Sequence, residues 1–494
     1  MKTAQATWTP LSRYLASLRE IVRAWPWPTL VVLPLILILG ILGGFSVSRQ
    51  ILLPIVLIAA AIPAGILIFR QPFDAIIIWL LIAPFFTVTS DELTRRAYWI
   101  TQRTIIPLAA IAALITSLHR KSLRFGWVEV FMFGYFLISL FSILYYYSSD
   151  PLPELFQLYD YTVVGAALFW LIRTTAPRGK QLKYLMIALI TLSIVQGVVG
   201  LMMNISVTRS MLPRQWIVMS ENRTTGTLGR DGEFSCTVTA SLLLLAHYAF
   251  HTRKGTIRTL CMIALVLGSI CLVFSFSRAT WLASALVVVL VTVLYRRLAP
   301  YVIGLAVIVI LLLSTGVFSS SIAFASERLG YQRTVDSRVI SNYAHIRMIQ
   351  VKPLLGWGYG NYTRYHMPFV EPLEGVAVVD PGISSHNTFL NIAVELGLLG
   401  LFFFLMPTFL LARYSWAAYN ELPREGFHSR YLLLVLWLGV LFWYVVSNFQ
   451  NIRIAAWGIT WIQLLLGLIA TLVDASRASA AEKARILIPD SAIA

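Results

Sequence analysis

Apolar runs of the ~20-residue length that crosses a hydrocarbon core recur from near one end of this chain to the other. There are about fourteen of them, at 29–45, 51–69, 73–89, 104–118, 127–147, 159–173, 182–203, 235–251, 257–274, 279–296, 300–318, 387–412, 430–447 and 452–473. In lipid every backbone N–H and C=O must bond within its own segment or a closed barrel, so apolar spans of this length are helices. Composition agrees. Of 494 residues, 58% are hydrophobic and only 12% charged, where a soluble chain carries roughly a quarter; mean hydropathy is +0.76. The expected fold is an all-α polytopic integral membrane protein of about 12–14 transmembrane helices with one large helical outer loop.

The chain divides accordingly into an N-terminal segment 1–28, a helical membrane region 29–318, a long connection 319–386, C-terminal transmembrane helices 387–473 and a tail 474–494. The first segment mixes Arg13, Arg19 and Arg23 with an interfacial "WPWP" and reads as a cytoplasmic leader rather than a cleaved signal. The three cysteines, Cys236, Cys261 and Cys271, show neither disulfide nor metal-ligand spacing and read as small core residues. No internal repeat or low-complexity linker is present.

Lys and Arg mark the cytoplasmic side of short connections. With the N-terminus inside, alternate connections carry Arg70; Arg120, Lys121 and Arg124; Arg178, Lys180 and Lys183; Arg253, Lys254 and Arg258; Arg296 and Arg297; and Arg413, Arg424 and Arg430. The basic tail then lies inside as well. The opposite connections also hold cations, among them Arg95, Arg96, Arg103, Arg209, Arg214, Arg223, Arg230, Arg278, Arg338, Arg347, Arg364 and Arg453, with Lys352 the one outer lysine. Topology is indifferent to which cation is used, whereas the guanidinium fork suits bidentate phosphate. Any one of these arginines fits a solvated loop or a lipid headgroup; the set points to phosphate. The formal net charge of +17 therefore reads as a membrane and phosphate signal, with no nucleic-acid module.

Two outer connections are long, about 204–234 and 319–386. In the second, "TVDSRVISNYAHIRMIQVKPLLGWGYGNY" predicts an amphipathic helix capped by Asp336 or Ser337 and ended by Pro353 and the glycines Gly356, Gly358 and Gly360. Arg338 and His345 share one face of it, and Arg347 points away. Trp357 and the tyrosines of "GWGYGNY" read as interfacial anchors or as faces for sugar rings.

The segment "GISSHNTFLNIAVELGLLG" (382–400) then places polar groups at the mouth of an apolar run. A helix starting near His386 aligns Asn387, Asn391 and Glu395 along one face. Gly397 and Gly400 would let a neighbouring helix approach. The positive end of the helix dipole disfavours imidazolium, so His386 is expected neutral and able to accept a proton. Ionisable groups inside a membrane are functional suspects. Arg278, in "SFSRATW" between two apolar spans, sits in a turn too short to hide it in water and must find a partner or a ligand.

Together, "RVISNYAHIRMIQVKPLLGWGYGNY" and "SSHNTFLNIAVELGLLG" resemble the signature region of the bacterial O-antigen ligase and O-antigen polymerase superfamily, nearest to the ligases. "RTTGTLG" (223–229) and "SFSRATW" (275–281) fit it too. Two departures stand out: Asn342 where the family often has Trp, and "RDGEFS" where it often has Asn after the Arg-Gly segment. The resemblance implies a GT-C-like membrane glycosyltransferase, inverting and without a metal or other cofactor. It would act at the outer face of the bacterial inner membrane, with both termini cytoplasmic. Its partners would be a glycan donor on polyisoprenyl (undecaprenyl) pyrophosphate and an acceptor hydroxyl, on lipid A core for a ligase of lipopolysaccharide biosynthesis or on the growing glycan for a polymerase. His386 would be the general base, with Asn387 and Glu395 orienting it or its helix. Arg338, Arg278, Arg223 and Arg347 would bind the pyrophosphate. A metal-dependent oligosaccharyltransferase would want clustered outer carboxylates, and no Asp-x-Asp occurs. A relative that glycosylates protein hydroxyls and a lipid or glycan transporter are the further alternatives.

Overall fold

The computed structural model describes residues 64–88, 92–119, 125–147, 150–218, 223–316, 318–330, 333–372 and 385–487. The expected spans 29–45 and most of 51–69 lie outside them. Among the described residues there is no strand. Ten helices among the described residues are long and apolar enough to cross a membrane, and two shorter apolar helices accompany them. The protein is an all-α polytopic membrane protein, as the apolar runs require.

In chain order the helices are α1 (Pro72–Ile82), α2 (Glu92–His119), α3 (Trp127–Tyr146), α4 (Leu152–Thr175), α5 (Lys180–Asn204), α6 (Asp231–His251), α7 (Gly255–Val273) and α8 (Arg278–Leu294). They continue as α9 (Ala299–Leu313), α10 (Ser319–Gly330), α11 (Arg333–Val351), α12 (Thr388–Glu421), α13 (Arg430–Ser447) and α14 (Ala456–Leu487). The apolar window of α14 is 94% buried and that of α9 only 11%, so α14 is the central post and α9 faces lipid. Around the post pack α4, α12, α13 and α6. Close packing of α6 rests on small hydroxyl residues. Ser235 Oγ lies 2.8 Å from Thr280 Oγ1 of α8, and Trp457 Nε1 of α14 donates to Thr237 Oγ1 at 2.8 Å. The three cysteines are free and buried.

Several boundaries differ from the apolar windows. Helix α2 begins well before residue 104, so Arg95, Arg96 and Arg103 sit on its first turns and not in a loop. Arg103 pairs side-on with Asp160 of α4, both contacts at 2.6 Å, which lets a charged turn remain helical. Helix α9 stops at Leu313 instead of 318, and α11 starts at Arg333, one turn before Asp336. At the other end of the bundle, Arg173 of α4 joins Glu129 of α3 (2.6 Å) to Asp474 of α14 (2.9 Å).

The feature that positions the site is a break in α12. Gly397 adopts φ 68°, ψ −176°, a region open in practice only to glycine. Into that break fits the turn after α11. Trp357 N donates to Val394 O (2.8 Å) and Gly358 N to Glu395 O (2.9 Å), while Leu398 N donates to Pro353 O (2.7 Å) and Leu399 N to Leu354 O (3.4 Å). Groups orphaned by the break are thus satisfied by the loop, as lipid requires. Gly397 therefore receives a loop backbone, not a neighbouring helix as expected. Tyr359 and Tyr362, each 2% exposed, are core residues and not interfacial anchors, because the same insertion carries them inward. Tyr146 OH donates to Gly356 O (3.1 Å) and Tyr147 OH to Asn361 Oδ1 (2.6 Å), tying the loop to α3.

A Cβ on Gly397 would lie 2.0 Å from Leu354 O. Backbone strain and this clash together predict that Gly397→Ala costs about 3 kcal/mol or more. Gly255→Ala, with open space around it, serves as the neutral control. Thermal unfolding of the detergent-solubilised variants measures this, and equal midpoints would contradict the insertion.

Candidate functional site

The residues before α12 are held from both sides. Asn387 caps the helix, its Oδ1 accepting from Phe389 N (2.9 Å) and Leu390 N (3.0 Å), an interaction worth about 1 kcal/mol. Thr388 Oγ1 donates to Gln450 O (2.9 Å) and accepts from Ile452 N (3.0 Å), fixing the first turn to the α13–α14 connection. On the other side Ser385 Oγ meets Nε2 of the fully buried His345 at 2.8 Å. His345 Nδ1 lies 2.5 Å from Ser341 O. A carbonyl only accepts, so Nδ1 carries the proton and Nε2 accepts from the serine hydroxyl. Burial pushes the His345 pKa down to about 4, which keeps that tautomer neutral. Its ring stacks on Tyr362 at 4.1 Å.

His386 lies between these anchors, half-buried, and no described residue hydrogen-bonds its ring. Its pKa is lowered below the usual histidine value, first by burial and then by the positive charge of Arg338; Asp231 opposes the shift and Arg223 adds to it. The neutral state expected from the helix dipole thus has a further physical source in desolvation and two guanidinium groups. Sequence-distant groups converge here from three elements: Arg338 from α11, Arg223 from the loop before α6, and Asp231 from the first turn of α6.

Arg223 Nη1 and Asp231 Oδ2 are 3.3 Å apart, and Gln450 Nε2 donates to the same carboxylate oxygen at 2.8 Å. Thr224 N donates to Phe274 O (3.0 Å), linking the Arg223 segment to the turn that carries Arg278 at the start of α8. Gln196 of α5 clamps the same segment through Thr227, at 2.7 and 3.0 Å. The N-terminal ends of α6, α8 and α12 and the α13–α14 connection are therefore linked to one another by these contacts.

Two expected members stand apart. Arg347 donates to Phe369 O (3.1 Å) and pairs with Glu371 (2.7 Å), so its guanidinium is engaged with the 369–371 segment. Glu395 lies two turns inside α12 and pairs with Arg453 Nη2 at 2.5 Å. Asn391 joins the pair, its Oδ1 accepting from Arg453 Nη2 (2.8 Å) and its Nδ2 donating to Glu395 Oε1 (3.3 Å). The Arg453 guanidinium also sits 5.0 Å over the Tyr359 ring. The polar stripe of α12 thus serves a buried ion pair that fastens α12 to the α13–α14 connection. Sequence reasoning missed Asp231, Gln450 and this role for Arg453. A carboxylate at a helix start reads as a favourable dipole contact, and Arg453 looked like any other outer cation.

Residues 263–405 match a family model described as O-Antigen ligase. The match spans α8, α11 and the start of α12, and so includes Arg278, Arg338, His386 and Glu395; the resemblance read from the sequence holds in the segment that carries it. No curated protein matches the chain. The match supports membrane glycan processing of the O-antigen ligase and polymerase type.

Two predictions follow from the charges. Removing a cation that lowers the His386 pKa raises it, so Arg338→Gln should move the acid limb of the activity–pH profile to higher pH; Asp231→Asn should move it lower. Unchanged or same-direction limbs would contradict this electrostatic arrangement. Glu395→Gln leaves Arg453 buried without a countercharge, at a cost of about 3–5 kcal/mol. A variant melting like the parent in detergent would refute the pair's structural weight.

Proposed function

We propose that the protein is a metal-independent, inverting glycosyltransferase of the bacterial inner membrane. It would move a glycan from polyisoprenyl pyrophosphate to an acceptor hydroxyl at the outer face, joining it to lipid A core as an O-antigen ligase does. The carrying observation is a half-buried imidazole, its ring open among the described residues, whose pKa is lowered first by burial and then by Arg338, with Asp231 opposing and Arg223 adding to the shift. A neutral base beside guanidinium groups matches a reaction that removes a hydroxyl proton while a pyrophosphate departs. The O-Antigen ligase match over this segment supports the substrate class.

In the proposed step His386 takes the acceptor's hydroxyl proton, and the acceptor oxygen attacks the anomeric carbon from the face opposite the phosphate. The carbon–oxygen bond to the pyrophosphate breaks, and the pyrophosphate leaves with the electron pair. Its growing charge falls to Arg338 and Arg223, with Arg278 on the adjoining turn; one well-aimed donor in a dry site supplies roughly 3–4 kcal/mol. Asp231 stabilises the imidazolium that forms. Asn387 positions His386 through the helix cap, and Glu395 acts at a distance by holding α12 against Arg453. Arg347, tied to Glu371, is left out of the phosphate set.

The test uses purified protein in lipid, a polyisoprenyl-pyrophosphate glycan, EDTA, and lipid A core added or omitted. Transfer to core in EDTA, reduced about 10²–10⁴-fold by His386→Ala, is the expected result. A ladder of longer lipid-linked glycans without core would make the protein a polymerase. Activity only on restoring a divalent ion would overturn the metal-free base mechanism, and glycan appearing on protein hydroxyls would redirect the acceptor.

A further inference from the structure

A cavity of about 680 Å³ opens among the outer ends of α2, α4, α6 and α14, bounded also by the short helix Arg214–Val218. Its volume lies within the roughly 300–1,000 Å³ of small-molecule sites. Three guanidinium groups line it, from Arg95, Arg214 and Arg230, against one carboxylate, Glu233, which stands 3.9 Å from Arg230. Trp99 and Tyr161 supply aromatic wall. None of these residues belongs to the cluster around His386.

This lining selects among possible occupants. A polyisoprenyl tail would have to desolvate three cations and a carboxylate, at several kcal/mol for each charge left unpaired. An anionic saccharide meets every group. Guanidinium forks bind phosphate or carboxylate in bidentate fashion. Amphipathic aromatic faces take the apolar faces of sugar rings, and Glu233 can accept from a sugar hydroxyl. The cavity and the histidine cluster are back to back across one helical turn. Arg230 and Glu233 line the cavity, while Asp231 between them turns to Arg223 and Gln450 and acts on His386. With Arg338 and Arg223 placed where a pyrophosphate departs, the second cationic surface suits the other substrate.

We propose that this cavity binds the acceptor, a saccharide bearing phosphate or carboxylate groups, through Arg95, Arg214 and Arg230. The proposal rests on the glycosyltransferase reading, and its test separates the two. Binding is measured without turnover, on full-length His386→Ala protein in detergent, by tryptophan fluorescence. The probes are a deacylated phosphorylated core oligosaccharide, its dephosphorylated form, a uronic-acid oligosaccharide, a polyisoprenyl-pyrophosphate glycan and phosphatidylglycerol nanodiscs. We expect at least one anionic saccharide to bind, and Arg95→Ala combined with Arg214→Ala to weaken it tenfold or more. The same double variant should leave the dephosphorylated form and the pyrophosphate donor unaffected. Failure of both anionic saccharides to bind, an unchanged affinity in the double variant, loss of donor binding instead, or displacement by the nanodiscs would each overturn the assignment. A failure of glycosyl transfer in the activity assay would leave this binding result standing on its own.

Discussion

Four backbone hydrogen bonds across the break at Gly397 hold the rest of the site in place. A helix interrupted inside a membrane exposes carbonyls and amides that lipid cannot satisfy. Here the turn after α11 supplies the missing partners, and in doing so it fixes α11 against α12. That docking brings Arg338, on α11, within electrostatic reach of His386, just before α12. It also buries Tyr359 under Arg453, and the Arg453–Glu395 pair then ties the same stretch of α12 to the α13–α14 connection. Backbone complementarity and one buried ion pair together turn a long loop into a rigid wall of the site.

On that wall the chemistry is arranged by charge and by exclusion of water. His386 is flanked by a cap on one side and by the Ser385–His345 contact on the other, so its backbone has little freedom while its ring stays available. Burial and the nearby guanidinium groups favour the neutral ring, and Asp231 favours the protonated one. In the proposed reaction, a base poised between these influences would take a proton and afterwards carry it as a countercharge to a departing pyrophosphate. The second group of arginines, across the first turn of α6, extends the same cationic surface toward a sugar-sized space.

Much of this was legible in the amino-acid sequence. Apolar runs alone required a helical bundle, and the polar stripe Asn387–Asn391–Glu395 with His386 at its head marked the mouth of α12. Arg338 and Arg223 act electrostatically on His386, while Arg347 is drawn to Glu371. What remained hidden depends on long-range pairing. The glycines at 356 and 397 look like a turn and a helix contact until the loop and the break are seen to complete each other. Asp231 and Gln450 lie far apart in sequence and meet only through tertiary packing. Helix α2 begins earlier than its apolar window because Arg103 finds Asp160, which no local pattern announces.

The most direct measurement of the central claim is chemical rescue of a His386→Gly variant by added imidazoles of graded basicity, read as glycosyl transfer with the donor saturating. A base at this position predicts that transfer returns, and that its rate rises with imidazole basicity. Donor binding intact but no rescue at any imidazole, or a variant as active as the parent without one, would contradict it.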